Sequence, residues 1–270
     1  MSMLRISIVQ TPLHWEDKKA NLDMLGQKIA TIPENTELVV LPEMFSTGFS
    51  MNKEALAETM EGPTVQWMRE TAAKKSAILT GSFIAKDFRN EIPVYYNRLV
   101  WMLPNGEFGF YDKRHLFAYG REDQHYSSGQ RRFIASVNGW KVNLQICYDL
   151  RFPVWIRQSK ALQTQTHPEY DLLIFVANWP KPRIHAWRTL LAARAIENQC
   201  YVIGVNRTGT DGHGLEYSGE SMILGPLGEP IKILEGDAEV FSHTLHREQL
   251  EEIRSKFPFW RDADEFLIQP

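Results

Sequence analysis

The chain has only two cysteines, Cys147 and Cys200, in 270 residues. Two thiols cannot form a disulfide framework, and in a reducing compartment a bridge between them is not expected. It has no Lys/Arg-rich block, its aromatics are scattered, and its formal charge is −3. That combination gives no support to a basic, base-stacking surface, so no nucleic-acid partner is expected. No apolar stretch approaches the roughly 20 residues that cross a bilayer, and residues 1–10 alternate like a strand rather than a signal peptide. Neither a membrane partner nor secretion is expected, which points to the cytoplasm. The sequon at Asn206-Arg207-Thr208 then carries no meaning. Repeats, low-complexity tracts and linkers are missing too, so residues 1–270 read as one domain.

The sequence does contain alternating structural signals. Apolar runs rich in β-branched residues recur at 4–10, 38–41, 77–83, 97–103, 142–147, 172–176 and 201–205. Helical spacing covers 17–32, 63–75, 153–162 and 184–199, and proline opens two of these segments, at Pro63 and Pro153, where its missing N–H costs little. This is an α/β pattern. Turn residues at Asn105-Gly106 and at 225–228 predict hairpins, so the sheet should be mixed. Residues 257–266 form an aromatic, irregular tail that needs a docking surface, either the domain's own flank or a second subunit.

Three polar residues stand at strand ends. The run 38–41 stops at Pro42 and presents Glu43, the aromatic strand 108–111 leads to Lys113, and the run 142–147 delivers Cys147 into the polar turn Tyr148-Asp149-Leu150-Arg151. A helix starting after that turn would favour a thiolate or an oxyanion near its amides. Ligands in open α/β sheets collect at the carboxyl ends of strands, so the three residues can meet in one cleft. Singly, Glu43 also reads as a helix-start carboxylate, Lys113 as a solvated turn lysine and Cys147 as a core thiol. Together they are a base, an electropositive donor and a soft nucleophile, the parts of nucleophilic acyl transfer. Cys200 enters an apolar strand and reads as core. His115, Glu122, Asp123 and His125 are potential metal ligands, but their spacing fits no zinc pattern. Cysteine-based acyl transfer needs neither metal nor other cofactor, and none is expected. The glycines at 209, 212 and 214 open no helix and read as a turn rather than a phosphate loop.

Leu41-Pro42-Glu43, the segment 111–117 around Lys113 and the segment 147–153 beginning at Cys147, in that order, resemble the Glu-Lys-Cys signature of the nitrilase superfamily of carbon-nitrogen hydrolases. The resemblance spans nearly the whole chain, taking in Gln10, Gly81-Ser82, Asn97, the segments 177–180 and 193–198, and Asn206-Arg207. It implies a four-layer αββα sandwich, two mixed sheets flanked by helices, with an active site shared by Glu43, Lys113 and Cys147. It also implies homodimers with exchanged C-terminal segments, and a second glutamate best matched by Glu122, whose alternative is a solvated acidic turn. By the chemistry of these parts, Glu43 takes the thiol proton, Cys147 attacks an amide carbonyl, and Lys113 with the Tyr148 backbone N–H holds the oxyanion. Asp149 and Arg151 brace the turn, and the alternative for Arg151 is a two-pronged donor to a substrate carboxylate.

Within the superfamily, the segments 147–155, 176–183 and 257–266 look most like bacterial ω-amidases, which hydrolyse the side-chain amide of 2-oxo dicarboxylic acid monoamides. That likeness implies a small amide substrate bearing a carboxylate, with Arg151, Trp179 and Arg183 in segments near the pocket. The alternatives are an N-carbamoyl amino acid hydrolase, a deaminated-glutathione amidase, or a catalytically idle dimer serving as an interaction module.

Overall fold

The alternation in the first strand assigns its two faces. In the computed structural model, which describes residues 2–158, 168–236 and 238–268, Leu4, Ile6 and Ile8 of that strand enter one apolar core, while Val9 enters another with Leu25 and Ile29. A strand buried on both faces belongs to the middle of a layered structure.

Thirteen strands are described in two mixed sheets. In chain order they are β1 (Met3–Gln10), β2 (Leu38–Val40), β3 (Ile78–Arg89), β4 (Ile92–Met102), β5 (Phe108–Asp112), β6 (Ile134–Val137), β7 (Trp140–Ile146), β8 (Leu172–Ala177), β9 (Tyr201–Asn206), β10 (Thr208–Thr210), β11 (Glu216–Leu224), β12 (Pro230–Glu235) and β13 (Glu239–His246). The helices are α1 (Lys18–Ala30), α2 (Lys53–Leu56), α3 (Pro63–Lys75), α4 (Glu122–His125), α5 (Pro153–Ile156), α6 (Ile184–Asn198) and α7 (Arg247–Lys256). The first sheet runs β13-β1-β2-β3-β4-β5, and the second runs β10-β11-β9-β8-β7-β6 with β12 beside β11.

Leu38 and Val40 of β2 share the inter-sheet core with Leu144 and Ile146 of β7, whereas Val39 faces Val65, Met68 and Ala72 of α3. On the far side Trp187, Leu191 and Ala195 of α6 cover the second sheet. The result is the expected αββα sandwich. Among the described residues no helix is long and apolar enough to cross a membrane.

Strands β1, β2 and β3 are parallel, as are β7, β8 and β9. The antiparallel pairs β3–β4 and β4–β5 give β5 the direction of β3. The chain therefore leaves β2, β5, β7 and β8 in a common sense within each sheet, which is how Glu43, Lys113, Cys147 and Asn178 come to a shared end.

Local chemistry explains the elements. Asp17 caps α1 by accepting from the Ala20 N–H at 3.0 Å. Pro63 starts α3 as expected, and the hairpins at Asn105-Gly106 and at 225–228 are both present. Beyond short elements such as β6, β10, α2 and α4, which the sequence reading does not include, the structure departs from it in larger ways. The helix expected over 153–162 stops at Ile156, because Arg157 turns extended and the Gln158 N–H and side chain are tied to Asn198 at 3.0 and 2.6 Å; residues 159–162 lie outside the described residues. Strands β3 and β4 run past the expected 77–83 and 97–103 into a hairpin at Asn90 and Glu91, both with positive φ. Strand β13 and helix α7 were not anticipated. Helix α7 is anchored by the fully buried Leu250, which joins the main core, and by Arg254, bonded to Asp171 at 2.8 Å. The aromatic tail begins docked on its own domain, where Gln199 bonds the Phe257 carbonyl at 2.6 Å and the Trp260 N–H at 3.1 Å.

Candidate active site

Two sharp bends make the site. The chain leaves β2 and β7 through left-handed residues, Met44 with φ 44° just after Glu43 and Cys147 with φ 44° at the bend itself. Neither is glycine, and a strained residue of this kind costs on the order of 1–3 kcal/mol unless its surroundings impose it. They do so at both bends. Ser82 Oγ accepts from the Met44 N–H at 2.9 Å, and Gly81 lets Phe45 approach the strand so closely that a Cβ there would lie 2.8 Å from its ring. At the other bend the buried Asp149 carboxylate accepts from the Ile146 N–H at 3.1 Å, the Tyr111 hydroxyl at 2.8 Å, and the His115 N–H and Nδ1 at 2.9 and 2.8 Å. Asp149 thus braces the turn as expected, whereas Arg151, the other expected brace, is exposed and its guanidinium lies against the Trp179 ring. The segment after Cys147 is a short 3-10 turn (Cys147–Arg151) followed by the single-turn α5, so the helix start expected to support a thiolate is much reduced.

Glu43, Lys113 and Glu122 are at most 1% exposed and form one cluster. Lys113 Nζ donates to Glu43 Oε1 at 2.9 Å and to both oxygens of Glu122 at 3.0 and 2.9 Å. The solvated-turn reading of Glu122 is therefore overturned. It is completely buried, also accepts from the Phe117 N–H at 2.6 Å, and leaves its neighbour Asp123 exposed. Glu43 likewise is no helix cap, and Lys113 is not solvated.

The electrostatics follow from burial. For Lys113 desolvation opposes the charge, but the carboxylates of Glu122 and Glu43 outweigh it and raise its pKa, so it is a cation. Burial raises Glu122 above the ordinary carboxylate range, with Lys113 pulling it down and Glu43 pushing it up. The Cys147 thiol is raised well above its ordinary value, first by burial and then by the Glu43 charge, with Lys113 acting against them. Burial and the Glu43 charge thus both favour the thiol form of Cys147. The arrangement suits transfer of the Cys147 proton to Glu43 during attack.

A cleft of about 360 Å³ opens above Cys147. Tyr148, Arg151, Trp179 and Arg183 all line it, as do Phe49, Phe117, Tyr119, Asn178 and Tyr217. The Arg151 guanidinium lies 5.0 Å from the Trp179 ring, and that of Arg183 lies 5.2 Å from the Phe117 ring. Of the metal-ligand candidates, His115 is engaged by Asp149 and Glu122 by Lys113, and they do not converge. Cys200 is buried core. Sequence reasoning gave no role to Asn97 or Asn178. Asn97 Nδ2 donates to Glu43 Oε1 at 2.8 Å and Glu122 Oε1 at 3.1 Å, while the Asn178 backbone N–H donates to Glu43 Oε2 at 2.7 Å. Their signal was a polar residue within or just beyond an apolar strand run.

Comparison with known proteins gives a consistent picture. The carbon-nitrogen hydrolase family profile matches residues 5–255. The chain is 41% identical to ω-amidase YafV of Escherichia coli (strain K12), covering 99% of this chain and 100% of that protein. It is 30% identical to 2-oxoglutaramate amidase of Bacillus subtilis (strain 168), covering 95% and 96%. The crystal structure of XC1258 from Xanthomonas campestris, a CN-hydrolase superfamily protein with an arsenic adduct in its active site, superposes with a TM-score of 0.94 at 43% identity over 100% of both chains. Saccharomyces cerevisiae Nit3 shares the fold, with a TM-score of 0.82 at 24% identity over 95% and 94%. The chain belongs to the carbon-nitrogen hydrolase family of the nitrilase superfamily, and it is an amidase acting on carbon–nitrogen bonds other than peptide bonds.

Proposed function

We propose that this chain is an ω-amidase that hydrolyses the side-chain amide of 2-oxo dicarboxylic acid monoamides, 2-oxoglutaramate and 2-oxosuccinamate, to the acid and ammonia. The observation that carries the reading is one cleft with Cys147 at its floor and two guanidiniums, Arg151 and Arg183, on its walls. Among the described residues neither arginine forms an ion pair, and both lie against aromatic rings. A guanidinium held by a ring face keeps its N–H fork for an incoming carboxylate. The names of the relatives above point to the same substrate class.

The mechanism assigns a step to each group. Glu43 takes the Cys147 proton as sulfur attacks the amide carbon, and the tetrahedral oxyanion is held by Lys113 Nζ and the Tyr148 N–H. The carbon–nitrogen bond then breaks, and the proton passes from Glu43 to the departing ammonia. A thioester remains. Glu43 next takes a proton from water, the hydroxide adds to the thioester, and as the carbon–sulfur bond breaks Glu43 returns that proton to sulfur, restoring the thiol. Glu122 keeps Lys113 in place, and no cofactor enters. A homodimer is part of the proposal, supported by exposed apolar residues such as Val154, Ile196, Phe259 and Leu267.

The test is ammonia release from 2-oxoglutaramate, with Cys147→Ala as control. The expected result is turnover by the native chain and none by the variant. Absence of turnover on both 2-oxo amides with Cys147 intact would overturn the substrate assignment.

A further inference from the structure

Base and nucleophile come from different sheets, Glu43 from the end of β2 and Cys147 from the end of β7. Something must hold one against the other. The buried cluster also carries two carboxylates against one ammonium, and a buried carboxylate needs donors on its remaining lone pairs. A second cation would supply donors, but it would cancel the charge that makes Glu43 a base. Neutral amides supply them without that loss.

Two asparagines fit this need and share an unusual feature. Asn97 of β4 gives its Nδ2 to Glu43 Oε1 and Glu122 Oε1 at 2.8 and 3.1 Å. Asn178, at the end of β8 in the opposite sheet, gives its backbone N–H to Glu43 Oε2 at 2.7 Å and its Nδ2 to the Glu43 carbonyl at 2.7 Å. In each the amide orientation is forced, because every contact made by Nδ2 is with an acceptor oxygen. In each the other end is left over: Asn97 Oδ1 and Asn178 Oδ1 are buried with no hydrogen-bond partner. Both residues thus direct their side-chain donors at Glu43.

We propose that Asn97 and Asn178 are positioning residues that clamp Glu43 from both sheets. Asn97 fixes Oε1 from its own sheet, and Asn178 fixes Oε2 and the backbone carbonyl from the sheet that carries Cys147. The clamp sets the distance and angle at which Glu43 receives the thiol proton and later delivers it to the leaving nitrogen.

The inference rests on Glu43 acting as the base, which Glu43→Gln tests separately by losing at least two decades of rate. The experiment for the clamp is a double-mutant cycle on the purified protein, using whichever amide the native chain hydrolyses. Misplacement by about 1 Å costs on the order of a hundredfold, so Asn178→Ala should lower kcat ten- to hundredfold with KM within twofold. In the Glu43→Gln background the same change should cost less than threefold. Asn178→Asp should move the acid-side limb of the pH–rate profile to higher pH, since adjacent carboxylates disfavour each other's ionised forms. Asn178→Ser, a smaller polar change, is read in the same cycle should the alanine variant not fold. Equal losses in both backgrounds, or an unmoved acid limb, would overturn the clamp while leaving Glu43 as the base.

Discussion

The floor and the walls of the cleft hold their charges in opposite ways. Beneath the floor Glu43, Lys113 and Glu122 are completely or almost completely buried, and each is bonded to another member of the set. On the walls Arg151 is exposed and Arg183 half-buried, and what each touches is an aromatic ring. A charge locked into a buried cluster cannot reorganise cheaply, which suits groups that must stay fixed while a proton moves. A cation resting on a ring face keeps its donors free, which suits a group that must meet a charge arriving from water. The floor is built for the reaction and the walls for selection, so substitutions should separate the two in kcat and KM.

The largest effect should come from the floor. Cys147→Ala should abolish turnover with the fold intact, as read by circular dichroism; measurable turnover would mean that another nucleophile operates. Lys113→Met removes an oxyanion donor, for which losses of about 10²–10³ in kcat are typical. It also leaves two buried carboxylates without their cation, and breaking a buried pair costs about 3–5 kcal/mol. Both losses should appear together, in steady-state kinetics and in urea unfolding. Loss of stability with normal kcat would leave the ammonium with a structural role only.

The same contrast separates what was legible in the sequence from what was not. Glu43, Lys113 and Cys147 could be found because each follows a strand run, where side chains reach a sheet end. Glu122 was weaker, since it stands in a single-turn helix beside Asp123 and local pattern cannot tell the buried acid from the exposed one. Asn97 and Asn178 had no readable role, because their partners lie 54 and 135 residues away in the chain. The sandwich was legible from strand–helix alternation and the family motifs. Strand β13 and helix α7 were not, since β13 is mostly half-buried and α7 buries a single apolar residue, Leu250, beside a charged one, Arg254, held by Asp171 and the Gln199 and Tyr170 carbonyls.

A middle-sized effect links the floor to pH. The Cys147 thiol is raised by burial and by Glu43, so the folded chain keeps its proton at pH values where the unfolded thiol, near 8.5, has lost it. Above that value the native state binds more protons than the unfolded one, and stability falls as pH rises, by up to about 1.4 kcal/mol per unit. Below it the group contributes no slope. Cys147→Ala removes this contribution, while the buried Cys200 is common to both proteins. Urea unfolding at pH 7.5 and pH 9.5 should therefore show the native chain losing stability relative to the variant. A constant difference between the two would mean that the thiol is not held protonated.

The smallest effects should come from the walls, and they decide whether the walls select at all. Arg183 sits on Phe117, whose N–H is bonded to Glu122, and Arg151 sits on Trp179, whose Nε1–H is bonded to the Arg183 carbonyl at 2.8 Å. The two guanidiniums thus share one scaffold. A carboxylate entering the cleft can be taken by either arginine or by both in turn. Arg151→Ala and Arg183→Ala should each raise KM for a 2-oxo acid amide about fivefold, with kcat changed less than twofold. The double variant should cost more than either single one, and a neutral amide of similar size should be affected by none of them. The neutral amide is the informative arm, because an exposed pair made with substrate is worth little more than about 1 kcal/mol and is easily mimicked by a small change of shape. Should the arginine variants slow the neutral and the anionic amide alike, the walls would be shaping the cleft rather than reading charge. Selection would then lie on the floor, and the contrast between the two regions would disappear.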